Sequence, residues 1–335
     1  MADSSPLPIS VVLPTRNART LLPRHVQAMR AWLGRVEEVI VVDSESTDGT
    51  PEFLREHLSH PRARFLSHPP GLYESWNFGI GQAQSEFTYI STAGDTVTPA
   101  TLKQLTAIAR ESSADAVVSL PRFVGPGARR MHGRWPLERF IARARLRAPR
   151  LLTGLEVFLW SALHTPGGLL GSSASNLYRT RFLQAHPFPA CYRRVGDTGW
   201  AVENAFHVRF VVAPGLESEF FVHAPADARS QERPGETRRR LLSKAREVFA
   251  EQLNLVRPPP HADAFVTALD EFWRASEALL DANECYQEWR RQSRAALLDP
   301  RVWRARAKRF SWRRRTAAVR ESILARLASL CGDDA

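Results

Sequence analysis

Cysteine is scarce in this sequence. Cys191, Cys285 and Cys331 stand far apart in 335 residues, and no CxxC pair occurs. A disulfide framework and a cysteine-based zinc site are therefore not expected, and a reducing cytoplasm fits. Long apolar runs are missing as well. No run of about 18 apolar residues occurs, so no membrane-crossing helix is expected. The opening MADSSPLPIS has no basic-then-apolar leader, so no secretory signal is expected. Acid is in deficit: 46 Lys and Arg face 35 Asp and Glu, a net charge of +11. That balance calls for an anionic partner, which a phosphorylated small molecule, a membrane surface or a nucleic acid would satisfy. Two motifs of other enzyme classes are absent. There is no GxSxG nucleophile elbow, and the glycine-rich stretch Gly167–Ser173 lacks the lysine of a P-loop and reads as a connecting loop.

What is present is an alternation. Ile9–Pro14 is a β-branched strand stopped by proline, and Leu22, Val26, Met29 and Leu33 then recur at helical spacing. Glu38–Asp43 (EVIVVD) is a second buried strand, and Thr50-Pro51 opens a helix with a hydroxyl N-cap and proline at its first position. Arg64–Leu66, Phe87–Ile90, Asp115–Leu120, Ala174–Tyr178 and Val208–Val212 read as further strands, with Thr98-Pro99 repeating the N-cap device. Alternation of this kind predicts an α/β domain with a mostly parallel sheet. The polar groups Thr15, Asp43 and Asp95, each at or just past a strand end, should then share the edge where open α/β sheets bind ligands. The stretch 121–165 is irregular and rich in arginine. Past Arg229 the pattern turns helical: Leu241, Leu242, Ala245, Val248 and Phe249 share one face, and Phe265, Leu269, Phe272, Trp273 and Leu280 another, on either side of Pro258-Pro259-Pro260. The expected division is a flexible 1–7, an α/β domain over 8–228 and an all-helical extension over 229–335.

The fragments VVLPTRN (11–17), VVDSESTDGT (41–50), GLYESWNFGI (71–80), the turn ending in Asp95, ASNLYRTRF (174–182) and VGDTGW (195–200) occur in an order and spacing that resemble family 2 glycosyltransferases. These are inverting enzymes of the GT-A nucleotide-sugar-binding fold, and the resemblance covers roughly residues 8–225. It implies transfer of a sugar from a nucleoside-diphosphate donor, UDP-sugars foremost, to a hydroxyl of a glycan or lipid-linked acceptor. It places Thr15 and Asp43 on the base and ribose, Asp95 in the metal and diphosphate turn, and Asp197 as general base. His223 matches the late histidine that completes the metal shell, with Mn²⁺ or Mg²⁺ as the cofactor. The chain departs from the family at Thr92-Ala93-Gly94-Asp95, where two or three acidic or amide residues are usual and one carboxylate remains. Mg²⁺ is often held by one or two carboxylates plus substrate phosphates, so a thinner site is still chemically workable.

Plainer readings stand beside these. Asp43 is also a good turn residue, Asp48-Gly49 reads as turn chemistry, Asp197 also suits a helix cap, Asn77 reads as a packing residue, and a histidine after an apolar strand is often structural. Two rival functions are a degenerate nucleotide-sugar-binding protein and a nucleotidyltransferase, although the latter usually carries a glycine-rich loop where Thr15–Arg19 has none. The segment 300–330 interleaves cations with Trp303, Phe310 and Trp312. It reads either as a helix packed through Trp303 and Phe310 or as a helix on an anionic leaflet, which would make the protein peripheral at the inner membrane face. Nucleic acid ranks last, since no binding-module pattern accompanies the charge.

Overall fold

A computed structural model describes residues 6–125, 135–170, 173–222, 234–255, 262–292 and 299–331. The chain divides into two compact units, Met1–Ser230 and Gln231–Ala335.

In the first unit, β1 (Leu7–Thr15) leads through α1 (Leu22–Met29) to β2 (Val36–Asp43). Then α2 (Thr50–His57), β3 (Ala63–Ser67), α3 (Leu72–Gly81) and β4 (Phe87–Ile90) follow. These strands are parallel and lie in the order β3-β2-β1-β4. Ile9, Val11, Leu13, Val39, Val41 and Phe87 sit in one core cluster with Leu22, Val26 and Met29 of α1. The α1 helix therefore packs by the apolar face that its sequence spacing displays.

Beyond β4 come β5 (Thr96–Val97), α4 (Pro99–Glu111), β6 (Ala116–Val118), β7 (Arg122–Val124), α5 (Pro136–Arg143), β8 (Arg150–Leu151) and α6 (Gly154–Ala162). Thr98 caps α4 by accepting the Thr101 N–H at 3.1 Å, a device worth about 1 kcal/mol. Thr153 and Glu156 close a capping box on α6. The irregular 121–165 of the sequence thus holds two short strands and two helices, each too brief to leave a clear period.

The unit ends with β9 (Asn176–Arg179), α7 (Thr180–Ala185), α8 (Gly196–Glu203), β10 (Phe210–Val212) and β11 (Ser218–Phe221). The large sheet runs β3-β2-β1-β4-β9-β6-β10-β8. β9 lies antiparallel between β4 and β6, which apolar patterning could not reveal because a strand buried on both faces reads alike in either direction. A second sheet, β5-β11-β7, was not expected as such.

One cap differs from the sequence reading. Thr50 is the first residue of α2 and is buried, while Gly49, at φ 81°, holds the N-cap position.

The second unit holds α9 (Pro234–Leu255), α10 (Ala262–Gln292) and α11 (Pro300–Cys331). Its core takes Leu241, Leu242 and Ala245 from α9, Leu269, Phe272 and Trp273 from α10, and Val302, Ala305, Ile323, Leu324 and Leu327 from α11. Trp303 and Phe310, which one of the two readings of this segment would pack inward, are 52% and 61% exposed.

Candidate active site

The parallel register sets Thr15 directly opposite Asp43 at the carboxyl ends of β1 and β2. The Thr15 hydroxyl donates to Asp43 Oδ1 at 3.0 Å. Ser46 adds its N–H to Oδ2 at 2.9 Å and its hydroxyl to Oδ1 at 2.6 Å. Asp43 is thus both a turn residue and a carboxylate at the binding edge, and ionised carboxyl oxygens can accept more bonds than these three. The neighbouring loops are clasped together. Asn17 Oδ1 accepts the Thr47 N–H at 2.9 Å, and Asp48 Oδ2 accepts the Arg19 N–H at 3.0 Å. Burial works to raise the Asp48 carboxyl, but hydrogen bonds from Thr50 and Arg19 outweigh it and hold the group below its usual range.

The turn after β4 is held from several sides. Gly94 sits at φ 98°, a region that side chains disfavour. Arg24 donates to the Gly94 carbonyl at 2.9 Å and to Glu219 Oε2 at 2.7 Å. Asp95 is buried, and its Oδ1 accepts the Phe221 N–H of β11 at 2.9 Å. His25 lies 2.8 Å from the Asp95 carbonyl through Nδ1 and 3.1 Å from the Ser91 hydroxyl through Nε2. A carbonyl only accepts, so Nδ1 carries the proton and Nε2 accepts from Ser91. Burial, with Arg24 nearby, pushes the imidazole down to about 4 against the upward pull of the Asp95 carbonyl, so His25 is neutral at pH 7 and acts as a fixed strut. Thr92, where the family often has an acid, instead meets the Ser173 hydroxyl at 2.5 Å.

Among the described residues, no three His, Cys, Asp or Glu side chains cluster closely enough to cage a metal. His223 lies outside the described residues. The donor set at Asp95 is one carboxylate, which suits a hard cation arriving with substrate phosphates and water rather than a preformed cage.

Asp197 opens α8. Its N–H donates to the Tyr73 hydroxyl at 3.0 Å, and its Oδ1 accepts the Thr198 N–H at 2.6 Å. A Cβ on Gly196 would stand 2.5 Å from the Tyr73 ring, so only glycine lets α3 approach α8 this closely. Val195, not Asp197, holds the N-cap position. Burial pushes the Asp197 carboxyl up to about 6, with hydrogen bonds from Thr198 and Tyr73 pulling the other way. A carboxyl that titrates near neutrality is suited to taking up a proton. Asn77, one turn along from Tyr73, exchanges two hydrogen bonds with the Phe188 backbone at 2.8 and 2.9 Å, which makes it a packing residue.

Thr15 and Asp43 are therefore bonded to each other, and Asp95 follows the adjacent strand β4. The antiparallel β9 begins beside the carboxyl end of β6, with Asn176 opposite Val118, so the Ser173–Ser175 turn reaches the same edge and bonds Thr92. Residues 10–161 match the family described as glycosyl transferase family 2. A search of curated proteins gives no match. Among solved structures, S. aureus TarS 1-349 in complex with UDP-GlcNAc is similar at 19% identity and TM-score 0.53, over 94% of this chain and 90% of that one. S. aureus TarS is similar at 20% identity and TM-score 0.50, over 94% of this chain and 55% of that one. At these identities the likeness concerns the fold, which is GT-A with a helical C-terminal region.

Around this carboxyl edge, His25, Arg24, Glu219 and Tyr73 escape a reading of the sequence. His25 lies next to the apolar position Val26, and that was its one visible signal. Arg24, Glu219 and Tyr73 gain their places from partners 70, 195 and 124 residues away.

Proposed function

We propose that this chain is an inverting glycosyltransferase that moves a sugar from a nucleoside-diphosphate donor to a hydroxyl of a glycan or glycolipid. The observation that carries the reading is the bonded Thr15–Asp43 pair at the carboxyl edge of the sheet, within the segment that matches glycosyl transferase family 2. In this reading Asp43 accepts hydrogen bonds from base and ribose, and Thr15 fixes its orientation. The TarS complex with UDP-GlcNAc makes UDP-sugars the first donors to try. Asp95 faces the diphosphate. A divalent cation, Mn²⁺ or Mg²⁺, held by Asp95 together with substrate phosphates would neutralise charge on the leaving group.

The acceptor oxygen forms its bond to the anomeric carbon from the face opposite the leaving group. The bond from that carbon to the diphosphate oxygen breaks, and the diphosphate leaves with the electron pair. The acceptor proton passes to the Asp197 carboxylate. Inversion follows from this single displacement, and a group that titrates near 6 is both mostly ionised at pH 7 and able to hold the proton.

The test is a panel of UDP-, GDP- and dTDP-sugars read by thermal stabilisation with and without Mn²⁺, followed by transfer assays on the donor that binds. A donor at 100 times its Kd should add about 2.7 kcal/mol. No stabilisation by any nucleotide sugar would overturn the reading. Binding without turnover on any glycan or glycolipid would identify a degenerate binding protein instead.

A further inference from the structure

Between Arg301 and Arg320 the sequence has nine cations and no acid. Three of these cations have carboxylate partners: Arg301 with Asp299, Arg315 with Glu271 and Arg320 with Glu321. Among the described residues, Arg304, Arg306, Lys308, Arg309, Arg313 and Arg314 have none. The buried side of α11 is spent within its own unit, through Val302, Ala305, Ile323, Leu324 and Leu327. An interfacial helix that inserts its apolar stripe is therefore excluded.

The outward side has its own order. At about 3.6 residues per turn, Trp303, Phe310 and Arg314 lie along one line of the helix. Arg306 and Arg313 flank that line on one side, and Arg304 and Lys308 on the other; all are exposed. On the Arg306 side, Tyr286 and Arg290 of α10 complete a cleft of about 650 Å³. Arg306 stands over the Trp303 ring at 5.4 Å and Arg314 over the Phe310 ring at 5.9 Å. Aromatics at the crest with cations along both shoulders meet a planar anionic partner all at once. A single strand or peptide would engage only one shoulder.

We propose that this outward face of α11 docks on an anionic phospholipid surface, with Trp303 and Phe310 entering the headgroup layer and the flanking cations meeting lipid phosphates. Among the described residues no helix is long and apolar enough to cross a membrane, so attachment of this kind is peripheral. It is additive and electrostatic, each cation strengthening binding by about fivefold.

The experiment uses the full chain and sedimentation with phosphatidylcholine vesicles that contain or lack phosphatidylglycerol. Binding is expected only with the anionic lipid. It should fall steeply as salt rises from about 0.1 M to 1 M and the screening length shrinks from about 10 Å to 3 Å. Replacing Arg304, Arg306, Arg313 and Arg314 together by Gln should weaken binding by about several hundredfold. Trp303→Ser with Phe310→Ser should weaken it severalfold. These side chains are exposed, so both variants should keep the parent melting temperature. Equal binding to neutral vesicles, no binding of the parent chain, or parent-like binding by the fourfold variant would each overturn the proposal. Tighter binding of a single-stranded oligonucleotide than of anionic vesicles at the same salt would assign the face to nucleic acid and overturn it too. None of these readouts depends on sugar transfer.

Discussion

The Tyr73 hydroxyl accepts the backbone N–H of Asp197 across 124 residues of sequence, at 3.0 Å. This bond fixes the start of α8 against α3. Tyr73 also helps to pull the Asp197 carboxyl down against burial. Tyr73→Phe should therefore raise the Asp197 pKa further and move the acid limb of the rate profile to higher pH. One lost hydrogen bond to a partly buried group predicts a fall of roughly tenfold in kcat with KM for donor little changed. An unmoved acid limb in Tyr73→Phe would detach Tyr73 from the chemistry.

Asp197 itself gives two opposite predictions. Asp197→Asn should lower the transfer rate by ~10²–10⁴-fold while leaving donor affinity near that of the parent. Activity within threefold of the parent would exclude a base role. Stability should go the other way. The folded carboxyl sits at about 6 against 3.8 ordinarily, so the native state binds the extra proton between these values. Stability from this group therefore rises as pH falls from about 6 toward 4 and is flat below. The amide variant removes a partly buried charge and should gain up to about 3 kcal/mol at pH 7, read as a higher melting temperature.

Asp43→Ala should weaken donor binding by roughly 10–100-fold, from one charge-assisted hydrogen bond of about 1.5–3 kcal/mol. It should also lower the melting temperature, because Thr15 and Ser46 lose their acceptor. Thr15→Val leaves the carboxylate in place and should show a smaller loss in both. Unchanged nucleotide affinity for Asp43→Ala by calorimetry would leave Asp43 as a turn residue alone.

Asp95 offers a single carboxylate, and one of its oxygens already holds the Phe221 N–H. Stimulation by Mn²⁺ or Mg²⁺ should therefore be modest, and Asp95→Ala should abolish it. Full parent activity after exhaustive chelation would show that protein cations alone neutralise the diphosphate.

Much of the carboxyl edge was legible in the chain because it is built locally. β1, β2 and β4 are apolar runs that each stop at a polar turn, and Thr98-Pro99 announces α4 by its own chemistry. The misread cap at Thr50 has a physical cause. Its hydroxyl serves Asp48 and Ala18 instead, a partnership made across two loops. What could not be read was whatever depends on distant pairing: the antiparallel direction of β9, the small sheet that brings Phe221 to Asp95, and the neutral His25 under that turn. Residues 300–330 were legible as a cationic helix, but the sequence alone left Trp303 and Phe310 between packing and an anionic surface, because aromatic residues at heptad spacing look the same facing in or out.

The placement of β9 has a consequence for how the chain is made. β4 and β6 never pair with each other; each waits for Asn176–Arg179. During synthesis the first four parallel strands can assemble once Ile90 has emerged, yet the open side of β4 stays unsatisfied until residue 179. At about 5–20 residues per second that interval is roughly 4–18 s. Throughout it, Phe87–Ile90 offers a bare strand edge to any neighbouring chain. Nascent chains halted after Val118 should therefore self-associate far more than chains halted after Ala185, a difference that size-exclusion of stalled fragments would read directly.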